Sequence, residues 1–358
     1  MISMRKLATI QKVANVEPIS GADNIELATI LGWHCVVRKN EFKAGDLCVY
    51  FEVDSLLPPV TEFEFLAKDG IKKSYTDNKE YEGYRIRTIK LRGVVSQGLA
   101  LPLSVLNEKK FFNDTRENPN YEWKEGDDVS ALLGVVKYEP MVPASLSGVA
   151  KGAFPSNIPK TDETRIQEYP DILNRYKEIP FYCSEKIDGS SCTIFIENEE
   201  LNICSRNLNL LESKENTYWK VAREKNIEFK LKSFGKNYAI QGELVGSNIN
   251  SNHLKLTSHN IYFFNVYDID NEKYLDYEDF KKVIESLGLE TVPIVSDNVM
   301  LPPNVDDIVK MTDLKSKLNP SVPIEGLVFR PLHEIHDADL GRLSFKVLNP
   351  NYLLKFKE

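Results

Sequence analysis

The sequence lacks the features of a secreted, membrane-spanning or broadly basic protein. Its start, MISMRKLATIQK, has no apolar stretch long enough for a signal peptide, and no run approaches the length of a membrane span. The 45 Lys and Arg against 53 Asp and Glu give a net charge of −8, so nucleic-acid contacts would need local basic patches. The five cysteines form no CxxC pair, which favours buried thiols in a reducing, intracellular setting, cytoplasmic or nuclear.

The pattern of strands and turns predicts two domains. Residues 6–57 contain short apolar runs separated by the turns GADN and KAGD, and strand character returns at 84–103 after a polar, loop-like stretch at 61–83. Such spacing is typical of a small barrel. Four prolines and two glycines between 138 and 160 indicate a linker. We predict a first domain at 1–135, a linker at 136–160 and a second domain at 161–358.

The second domain has an α+β pattern without βαβ alternation, which favours antiparallel sheets. A helix is predicted over 276–288, where acidic residues open the first turn, apolar residues recur at helical spacing and Gly288 follows. Two further helices are expected over 212–227 and 304–318. Strands are expected at 180–185, 191–197, 200–205, 238–245, 260–269, 325–330 and 342–348.

The stretch CSEKIDGSSCTIF, at 183–195, places a lysine beside carboxylates at the junction of two strands. A lysine near neutral pH is an ammonium, and it becomes a nucleophile when it is desolvated or lies beside another cation. Asp188 would help to place such a cation near Lys186, and Gly189 would let a bulky ligand approach the backbone. This stretch alone is equally compatible with an exposed lysine before a turn.

Five further motifs follow in strands of the same domain: CSRN with Arg206, QGELVG with Glu243, FFNVYDI with Phe263 and Phe264, EGLVFR with Glu325, and SFKVLN with Lys346. This order resembles the covalent nucleotidyltransferase superfamily of DNA ligases, RNA ligases and mRNA-capping enzymes over roughly 165–350. Without the order, surface ion pairs and core packing would be the simpler interpretations of these residues.

The resemblance implies that Lys186 attacks the α-phosphorus of ATP and forms a phosphoramidate. It further implies Mg²⁺ or Mn²⁺, which keep several waters and need few carboxylates. The residues implied to surround this cation are Asp188, Glu243 and Glu325. The remaining implied contacts are Lys346 to the α-phosphate, Arg206 to the ribose or a phosphate, Phe263 or Phe264 to the purine face, and Glu185 to the adenine edge.

The position of the small β-unit distinguishes branches of the superfamily. DNA ligases and capping enzymes place an OB-fold after the last lysine strand, whereas only twelve residues follow Lys346 here. The N-terminal segments GADNIELATILGW and YRIRTIKLRGVVSQGL resemble RNA ligases of the Naegleria RNA ligase type, as does KTDETRIQ. There Arg165 matches an arginine implied to hold the outer phosphates. The resemblance implies an OB-like β-barrel followed by a nucleotidyltransferase (ATP-grasp-like ligase) domain that seals RNA 3′-OH and 5′-phosphate ends.

A local basic segment, RIRTIKLR, lies in the N-terminal unit and carries Arg85, Arg87, Lys90 and Arg92. Arg85 and Arg87 are predicted to share one strand face, which suits an RNA phosphate backbone. A solvated face that forms salt bridges to the second domain is equally supported. The expected partner is nicked or broken RNA, no membrane contact is expected, and the protein is expected to be a monomer.

Several departures leave alternatives open. Many ligases have a second lysine two residues after the last motif lysine, but Leu348 stands there, so one lysine suffices or Lys355 or Lys357 substitutes. The histidine pairs His333/His336 and His253/His259 are interpreted as surface loops, because neither has further converging ligands. The rival functions are a GTP-dependent capping guanylyltransferase and a catalytically silent nucleic-acid-binding protein with the ligase fold.

Overall fold

The computed structural model describes residues 6–76, 79–107, 122–138 and 150–356. The chain divides into two compact units. The first unit comprises Met1–Pro143 with Gln167–Tyr169 and Leu353–Glu358, and the second comprises Ala144–Ile166 and Pro170–Tyr352. No helix in the described ranges is long and apolar enough to cross a membrane.

The first unit is built from strands and 3-10 turns. Its strands are β1 Ala8–Pro18, β2 Ile25–Ile30, β3 Trp33–Arg38, β4 Leu47–Phe51, β5 Ser55–Leu57, β6 Lys72–Thr76, β7 Lys79–Arg85, β8 Ile89–Leu91, β9 Val94–Ser96, β10 Leu99–Pro102 and β11 Val136–Lys137. Among the described residues, 3-10 helices cover Thr61–Asp69, Leu103–Asn107 and Ile166–Glu168, the last at the border with the second unit.

The long strand β1 organises the first unit. Its first half pairs with β4, its second half pairs with β2, and the register shifts between Val13 and Asn15. The sheet order is β10-β4-β1-β2-β3, and a second sheet has the order β11-β5-β7-β6. Because a register shift bends a strand, β1 can serve both halves of a curved sheet. The predicted OB-like β-barrel and the short strands at 6–57 are confirmed.

The prediction of a loop at 61–83 is wrong. This range forms the first 3-10 helix and most of the hairpin β6–β7. Lys73 forms ion pairs with Glu80, at 2.7 Å, and with Glu82, at 3.1 Å, across the two strands. Cross-strand charge pairs stabilise a hairpin without the alternating apolar residues that a sequence pattern detects.

The second unit mixes sheets with short helices. Its strands are β12 Ala150–Ala153, β13 Thr164–Arg165, β14 Phe181–Lys186, β15 Ser190–Glu197, β16 Glu200–Cys204, β17 Leu208–Leu210, β18 Tyr238–Val245, β19 Asn260–Asp268, β20 Lys273–Tyr274, β21 Glu290–Thr291, β22 Ile294–Val299, β23 Gly326–Pro331, β24 His336–Asp337, β25 Gly341–Arg342 and β26 Phe345–Leu348. Its α-helices are α1 Ile172–Arg175, α2 Thr217–Glu224, α3 Ile227–Phe234, α4 Tyr277–Ser286, α5 Val305–Lys310 and α6 Pro350–Phe356.

Two large sheets form the body of the second unit. One has the order β12-β17-β16-β15-β18-β19-β20, with β21 also paired to β19, and the other has the order β13-β26-β23-β14-β22. Within these sheets only β13–β26 and β19–β21 are parallel pairs. Helix residues such as Trp219, Phe280 and Ile284 join the main apolar cluster with the first sheet. The predicted antiparallel α+β domain is confirmed.

The predicted helices differ in how well their ends match. Helix α4 lies within 276–288, and Gly288 follows it in a left-handed conformation with φ of 56°. The helix predicted over 212–227 is shorter, because Asn216 caps its start and Asn226 adopts φ of 55°. A further helix, α3, then begins. Of the helix predicted over 304–318, only α5 forms.

The predicted linker lies partly outside the described residues, at 139–149. Its last part is ordered as β12, which pairs with β17 of the second unit. The predicted domain boundaries therefore stay predictions.

A test of this packing concerns Gly326, where strand β23 passes close to β26. A Cβ on Gly326 would lie 2.2 Å from the carbonyl oxygen of Val347. We expect Gly326→Ala to lower the free energy of unfolding by about 2 kcal/mol or more, because neither backbone can yield without loss of sheet hydrogen bonds. Urea unfolding measures the change. Gly152→Ala is the matched control, since its Cβ would meet nothing within 4 Å; an equal loss in both variants would contradict the argument.

Candidate active site

Lys186 forms an ion pair with Glu325 at the end of two neighbouring strands. Strand β14 pairs antiparallel with β23 so that Lys186 lies opposite Gly326, which puts Glu325 at the adjoining position. The Lys186 Nζ lies 2.5 Å from Glu325 Oε1. The lysine side chain is 27% exposed and the glutamate 10%, so the pair is largely removed from water.

Glu243 reaches the same site from the other sheet. The chain passes from β14 to β15 through Ile187, Asp188 and Gly189, and β15 pairs with β18 so that Ser191 lies opposite Glu243. A Cβ on Gly189 would lie 2.5 Å from the Leu244 carbonyl oxygen and 2.8 Å from Glu243 Cγ. Glycine at 189 therefore permits the close passage that puts Asp188 and Glu243 near Lys186.

The surrounding carboxyl groups and burial shift the pKa values of Lys186 and Glu243. Burial alone would lower the pKa of Lys186, but Glu325, Glu243 and Asp188 together raise it above its ordinary value. Burial raises the pKa of Glu243 to about 8, and Glu325 and Asp188 add to this, while Lys186 and Arg206 oppose it. With only these side chains present, Lys186 is an ammonium and not a nucleophile.

The site has features that suit a hydrated divalent cation. The carboxyl groups of Asp188, Glu243 and Glu325 outnumber the single ammonium, and Glu325 Oε2 is buried without a hydrogen bond. Within the described ranges, no three His, Cys, Asp or Glu side chains converge closely enough to hold a metal directly. Mg²⁺ retains several waters and needs few protein oxygens, so Asp188, Glu243 and Glu325 fit such an ion through its water shell. A cation here would also lower the pKa of Lys186.

Two basic residues lie side by side on adjoining strands of the second sheet. The parallel pair β13–β26 places Arg165 opposite Lys346, and Lys346 lies opposite Val328 of β23. The segment before Arg165 is anchored at three points: Thr161 to Ser191 at 2.8 Å, Asp162 to Arg206 at 2.7 Å and Glu163 to Arg330 at 2.6 Å. Adjacent cationic side chains on a fixed backbone suit a phosphate chain.

The motif CSRN predicted that Arg206 lies in a strand, and this prediction is wrong. Strand β16 ends at Cys204, and Arg206 lies in the following turn, where it forms an ion pair with Asp162. Its charge nonetheless lowers the pKa of Glu243, so it contributes to the electrostatics of the site.

The two candidate aromatics of β19 face different surroundings. Phe263 is fully buried in the main cluster with Phe280 and Ile284. Phe264 is only partly buried, packs against the cluster that contains Ile187 and Val245, and has the Arg330 guanidinium 5.7 Å from its ring centroid. Core packing thus occupies Phe263, and Phe264 is the candidate for stacking on a base.

Glu185 is a buried acid directly before Lys186 in the chain. Its Oε2 accepts a hydrogen bond from the backbone N–H of Lys317 at 3.0 Å, while its Oε1 is buried and makes no hydrogen bond. Burial raises its pKa. An unsatisfied buried acceptor costs free energy unless a ligand donor meets it, so Oε1 suits an amino group.

Two residues beside Asp188 were missed by sequence reasoning. His253 was interpreted as part of a surface loop, but its side chain is 14% exposed and its Nδ1 lies 3.0 Å from Asp188 Oδ2. Tyr352 donates a hydrogen bond to the same oxygen at 2.9 Å. Neither residue lies in a motif, and no spacing signal links them to Asp188. His333, by contrast, is exposed and pairs with Asp276, as a surface residue would.

The basic residues of the first unit are not equivalent. Strand β7 ends at Arg85, so Arg85 and Arg87 do not share a strand face as predicted. Arg85 pairs with Asp54 at 2.7 Å and lies over the Tyr138 ring at 4.4 Å. Lys90 and Arg92 lie in the exposed hairpin β8–β9. A contact to phosphates is therefore better supported for Lys90 and Arg92 than for Arg85.

Comparisons with known proteins identify the family of this chain. A family model described as an OB-fold domain matches residues 7–103, and one described as RNA ligase matches residues 179–348. The chain is 35% identical to a glutamate-to-alanine mutant of Naegleria gruberi RNA ligase with AMP and Mn, with a TM-score of 0.86 and 99% of each chain covered. The chain belongs to the RNA ligase family.

Two further structures of the Naegleria gruberi enzyme resemble this chain to a similar degree. The Naegleria gruberi RNA ligase with PPi is 36% identical, with a TM-score of 0.84 and 99% of each chain covered. A lysine-to-alanine mutant with ATP and Mn is 35% identical, with a TM-score of 0.85 and coverage of 98% of this chain and 99% of that chain. A search of curated proteins found no match. The resemblance inferred from the motif order is thereby confirmed.

The lysine that many ligases have two residues after the last motif lysine has no counterpart in β26. Leu348, which stands at that position, is buried at the end of β26. Of the two substitutes considered, Lys355 lies in α6 and belongs to the first unit, and Lys357 lies outside the described residues.

The raised pKa of Glu243 predicts how stability depends on pH in the absence of divalent cations. The folded protein holds a proton on Glu243 between pH about 4.5 and about 8, whereas the unfolded chain has already lost it. This contribution to the free energy of unfolding is therefore lost as the pH rises through that range. Glutamine cannot lose this proton. Over the same pH range we therefore expect the free energy of unfolding of Glu243→Gln to fall by about 1–3 kcal/mol less than that of the wild type, measured by urea unfolding in chelator.

Glu197→Gln provides the matched control for that measurement, because Glu197 is an exposed glutamate at the end of β15. It is expected to follow the wild-type pH profile. Parallel profiles for Glu243→Gln and the wild type would show that Glu243 is already ionised at neutral pH and would contradict the argument.

Proposed function

We propose that this RNA ligase joins RNA 3′-OH and 5′-phosphate ends through a covalent AMP adduct on Lys186. The observation that carries the proposal is the ion pair of Lys186 with Glu325, within a group of carboxylates, in a chain of the RNA ligase family. Its solved relatives contain ATP or AMP with Mn, which supports ATP as the nucleotide and Mg²⁺ or Mn²⁺ as the cation.

In the first step the Lys186 amine attacks the α-phosphorus of ATP. A nitrogen–phosphorus bond forms, the bond from the α-phosphorus to its bridging oxygen breaks, and pyrophosphate leaves. The lysine nitrogen gives one proton to solvent to become a neutral amine and a second as the new bond forms, so the phosphoramidate keeps one N–H. A divalent cation held by Asp188, Glu243 and Glu325 would neutralise charge on the transferring phosphoryl group and favour the neutral amine. Glu325 holds the Nζ in place through the 2.5 Å contact. Arg165 and Lys346 are adjacent cations for the phosphates.

In the later steps the AMP moves to RNA and is then released. An oxygen of the RNA 5′-phosphate attacks the phosphoramidate phosphorus, which frees Lys186 and leaves a 5′-to-5′ pyrophosphate linkage. The RNA 3′-OH then attacks the RNA phosphate, forms the phosphodiester and expels AMP. Lys90 and Arg92, on the exposed hairpin of the first unit, are the residues we propose for phosphate-backbone contact.

The base is proposed to lie between Phe264 and the buried carboxyl of Glu185. Phe264 packs against the cluster that contains Ile187 and Val245, and the Arg330 guanidinium lies over its ring at 5.7 Å, so the base is proposed to stack on the opposite face. Glu185 Oε1 is a buried acceptor, and the 6-amino group of adenine is a donor, whereas guanine carries a carbonyl oxygen at this position. This pairing supports ATP over GTP.

Label transfer tests the first step. The protein is incubated with α-labelled ATP or GTP and Mg²⁺, denatured, and assayed for label on the chain. We expect label from ATP with the wild type, none with Lys186→Ala, and wild-type labelling with Lys220→Ala, which removes an exposed lysine of α2. Label from GTP alone would indicate capping-type activity, and label that persists in Lys186→Ala would contradict the assignment of the nucleophile.

Nicked RNA duplexes test the proposed ends. Sealing is expected for a nick with a 3′-OH and a 5′-phosphate, and none is expected for a 5′-OH or a 3′-phosphate. Equal sealing of a nick with a 5′-OH would contradict the proposed second step, because no phosphate would be present to receive AMP.

Nucleotide choice gives a further test at Glu185. Glu185→Ala removes the acceptor, so we expect the preference for ATP over GTP in lysine adenylation to fall about tenfold to a hundredfold. The measurement is the ratio of single-turnover efficiencies for the two nucleotides. Glu185→Gln keeps an acceptor oxygen and is expected to retain more of the preference than the alanine variant. An unchanged ratio in Glu185→Ala would show that another group reads the adenine edge.

A further inference from the structure

One oxygen of Asp188 is held by two side chains that come from widely separated parts of the chain. Tyr352 donates its hydroxyl proton to Asp188 Oδ2 at 2.9 Å. His253 Nδ1 lies 3.0 Å from the same oxygen and also 3.0 Å from the Tyr352 hydroxyl. Asp188 and His253 are each 14% exposed, and Tyr352 is 1% exposed, so the three groups meet largely away from water.

The helix that carries Tyr352 is tied to the backbone that carries Glu325. Helix α6 begins directly after β26, and Asn349 accepts a hydrogen bond from the Asn351 N–H at 2.9 Å. The Asn349 N–H donates to the Glu325 carbonyl at 2.8 Å, and its amide donates to the Thr312 carbonyl at 2.8 Å. Tyr352 thus approaches Asp188 from a segment fixed to the site.

The loop that carries His253 is fixed in the same way. The Asn252 side chain closes this loop with two hydrogen bonds to Leu256: it accepts one from the Leu256 N–H at 3.0 Å and donates one to the Leu256 carbonyl at 2.9 Å. Asn319 donates to the Leu254 carbonyl at 2.9 Å. The His253 and Tyr352 rings meet edge to face, with centroids 5.8 Å apart. The contact with Asp188 is therefore built from two ordered segments.

The hydrogen bonds among Asp188, His253 and Tyr352 determine which ring nitrogen of His253 carries a proton. An ionised carboxylate only accepts, and the single hydroxyl proton of Tyr352 is donated to Asp188 Oδ2. The short contacts of His253 Nδ1 to this carboxylate and to the phenol oxygen are favourable only if Nδ1 carries a proton. The network thus requires Nδ1–H and occupies Oδ2, whereas Oδ1 has a long contact of 3.5 Å to the Asn250 amide.

We infer that His253 and Tyr352 are positioning residues that hold Asp188 in one orientation, with Oδ2 engaged and Oδ1 left for the hydrated cation proposed above. The inference rests on the proposed role of Asp188 in adenylation of Lys186. Restricting a carboxylate to one rotamer matters because small misplacements of a group in the site cost large factors in rate. Neither residue contacts ATP in this assignment; each acts through Asp188.

Single-turnover adenylation of Lys186 at varied ATP and varied Mg²⁺ tests the inference. We expect Tyr352→Phe and His253→Ala to lower the rate at saturating ATP about tenfold and to raise the Mg²⁺ concentration for half-maximal rate, with little change in the ATP requirement. His253→Asn, whose amide nitrogen takes the place of Nδ1, is expected to restore most of the rate. A loss confined to the ATP requirement, or no recovery in His253→Asn, would overturn the inference.

Tyr176→Phe is the matched control for Tyr352→Phe. Tyr176 also donates to a buried aspartate, at 2.7 Å to Asp337, but the hydrogen-bond partners of Asp337 lie outside the site: Arg175, Tyr176, Asp339 and Leu340. We expect this variant to keep the wild-type Mg²⁺ dependence. An equal rise in the Mg²⁺ requirement would mean that a general loss of stability explains the effect at Tyr352, which would overturn the inference.

A spectroscopic readout tests the network without catalysis. Long-range ¹H–¹⁵N correlation of the imidazole rings reports which nitrogen carries a proton, and His253→Asn assigns the signal among the five histidines. We expect a protonated Nδ1 in the wild type that changes in Tyr352→Phe. A neutral ring with its proton on Nε2 alone would overturn the network. A wild type that takes no label from ATP would refute the proposed function, while this spectrum would still decide the geometry.

Discussion

The imbalance of charge around Lys186 is the constraint on which the second unit depends. The Lys186 ammonium lies among the carboxyl groups of Asp188, Glu243 and Glu325, the last two contributed by different sheets, and little water reaches the group. Such an arrangement is costly unless a further cation completes it. Under the proposed mechanism, the carboxyl groups that keep the lysine protonated would also hold a divalent ion, and binding of that ion with ATP would convert the resting lysine into its reactive form.

The fold meets this constraint by bringing strand ends together. Strands β14 and β23 supply Lys186 and Glu325 as neighbours, and the turn through Gly189 takes the chain from one sheet to the other, past Glu243. The parallel pair β13–β26 adds Arg165 and Lys346 at adjoining positions. Backbone hydrogen bonds thus position most of the polar groups, so that the site is held by the sheets and not by flexible loops.

The sequence was informative where a residue's position in a strand determines its role. The order of the motifs predicted a common site for Lys186, Glu243, Glu325 and Lys346; the structure brings the first three together and places Lys346 beside Arg165. The choice between Phe263 and Phe264 could not be predicted, because the pairing of β18 with β19 shifts register near Gly242, and this alters which residues of β19 face the core. His253 and Tyr352 could not be found either, since loop and helix geometry brings them to Asp188 from distant positions. The polar hairpin β6–β7 was missed because its cross-strand pairs are ionic.

The most direct test of the account is peptide mapping by mass spectrometry after incubation of the full-length protein with ATP and Mg²⁺. The account predicts that the mass of one AMP is added to the chain, that the addition maps to Lys186, and that it is lost when nicked RNA is supplied. An adduct on another residue, or sealing of RNA by a protein that never carries AMP on Lys186, would contradict it.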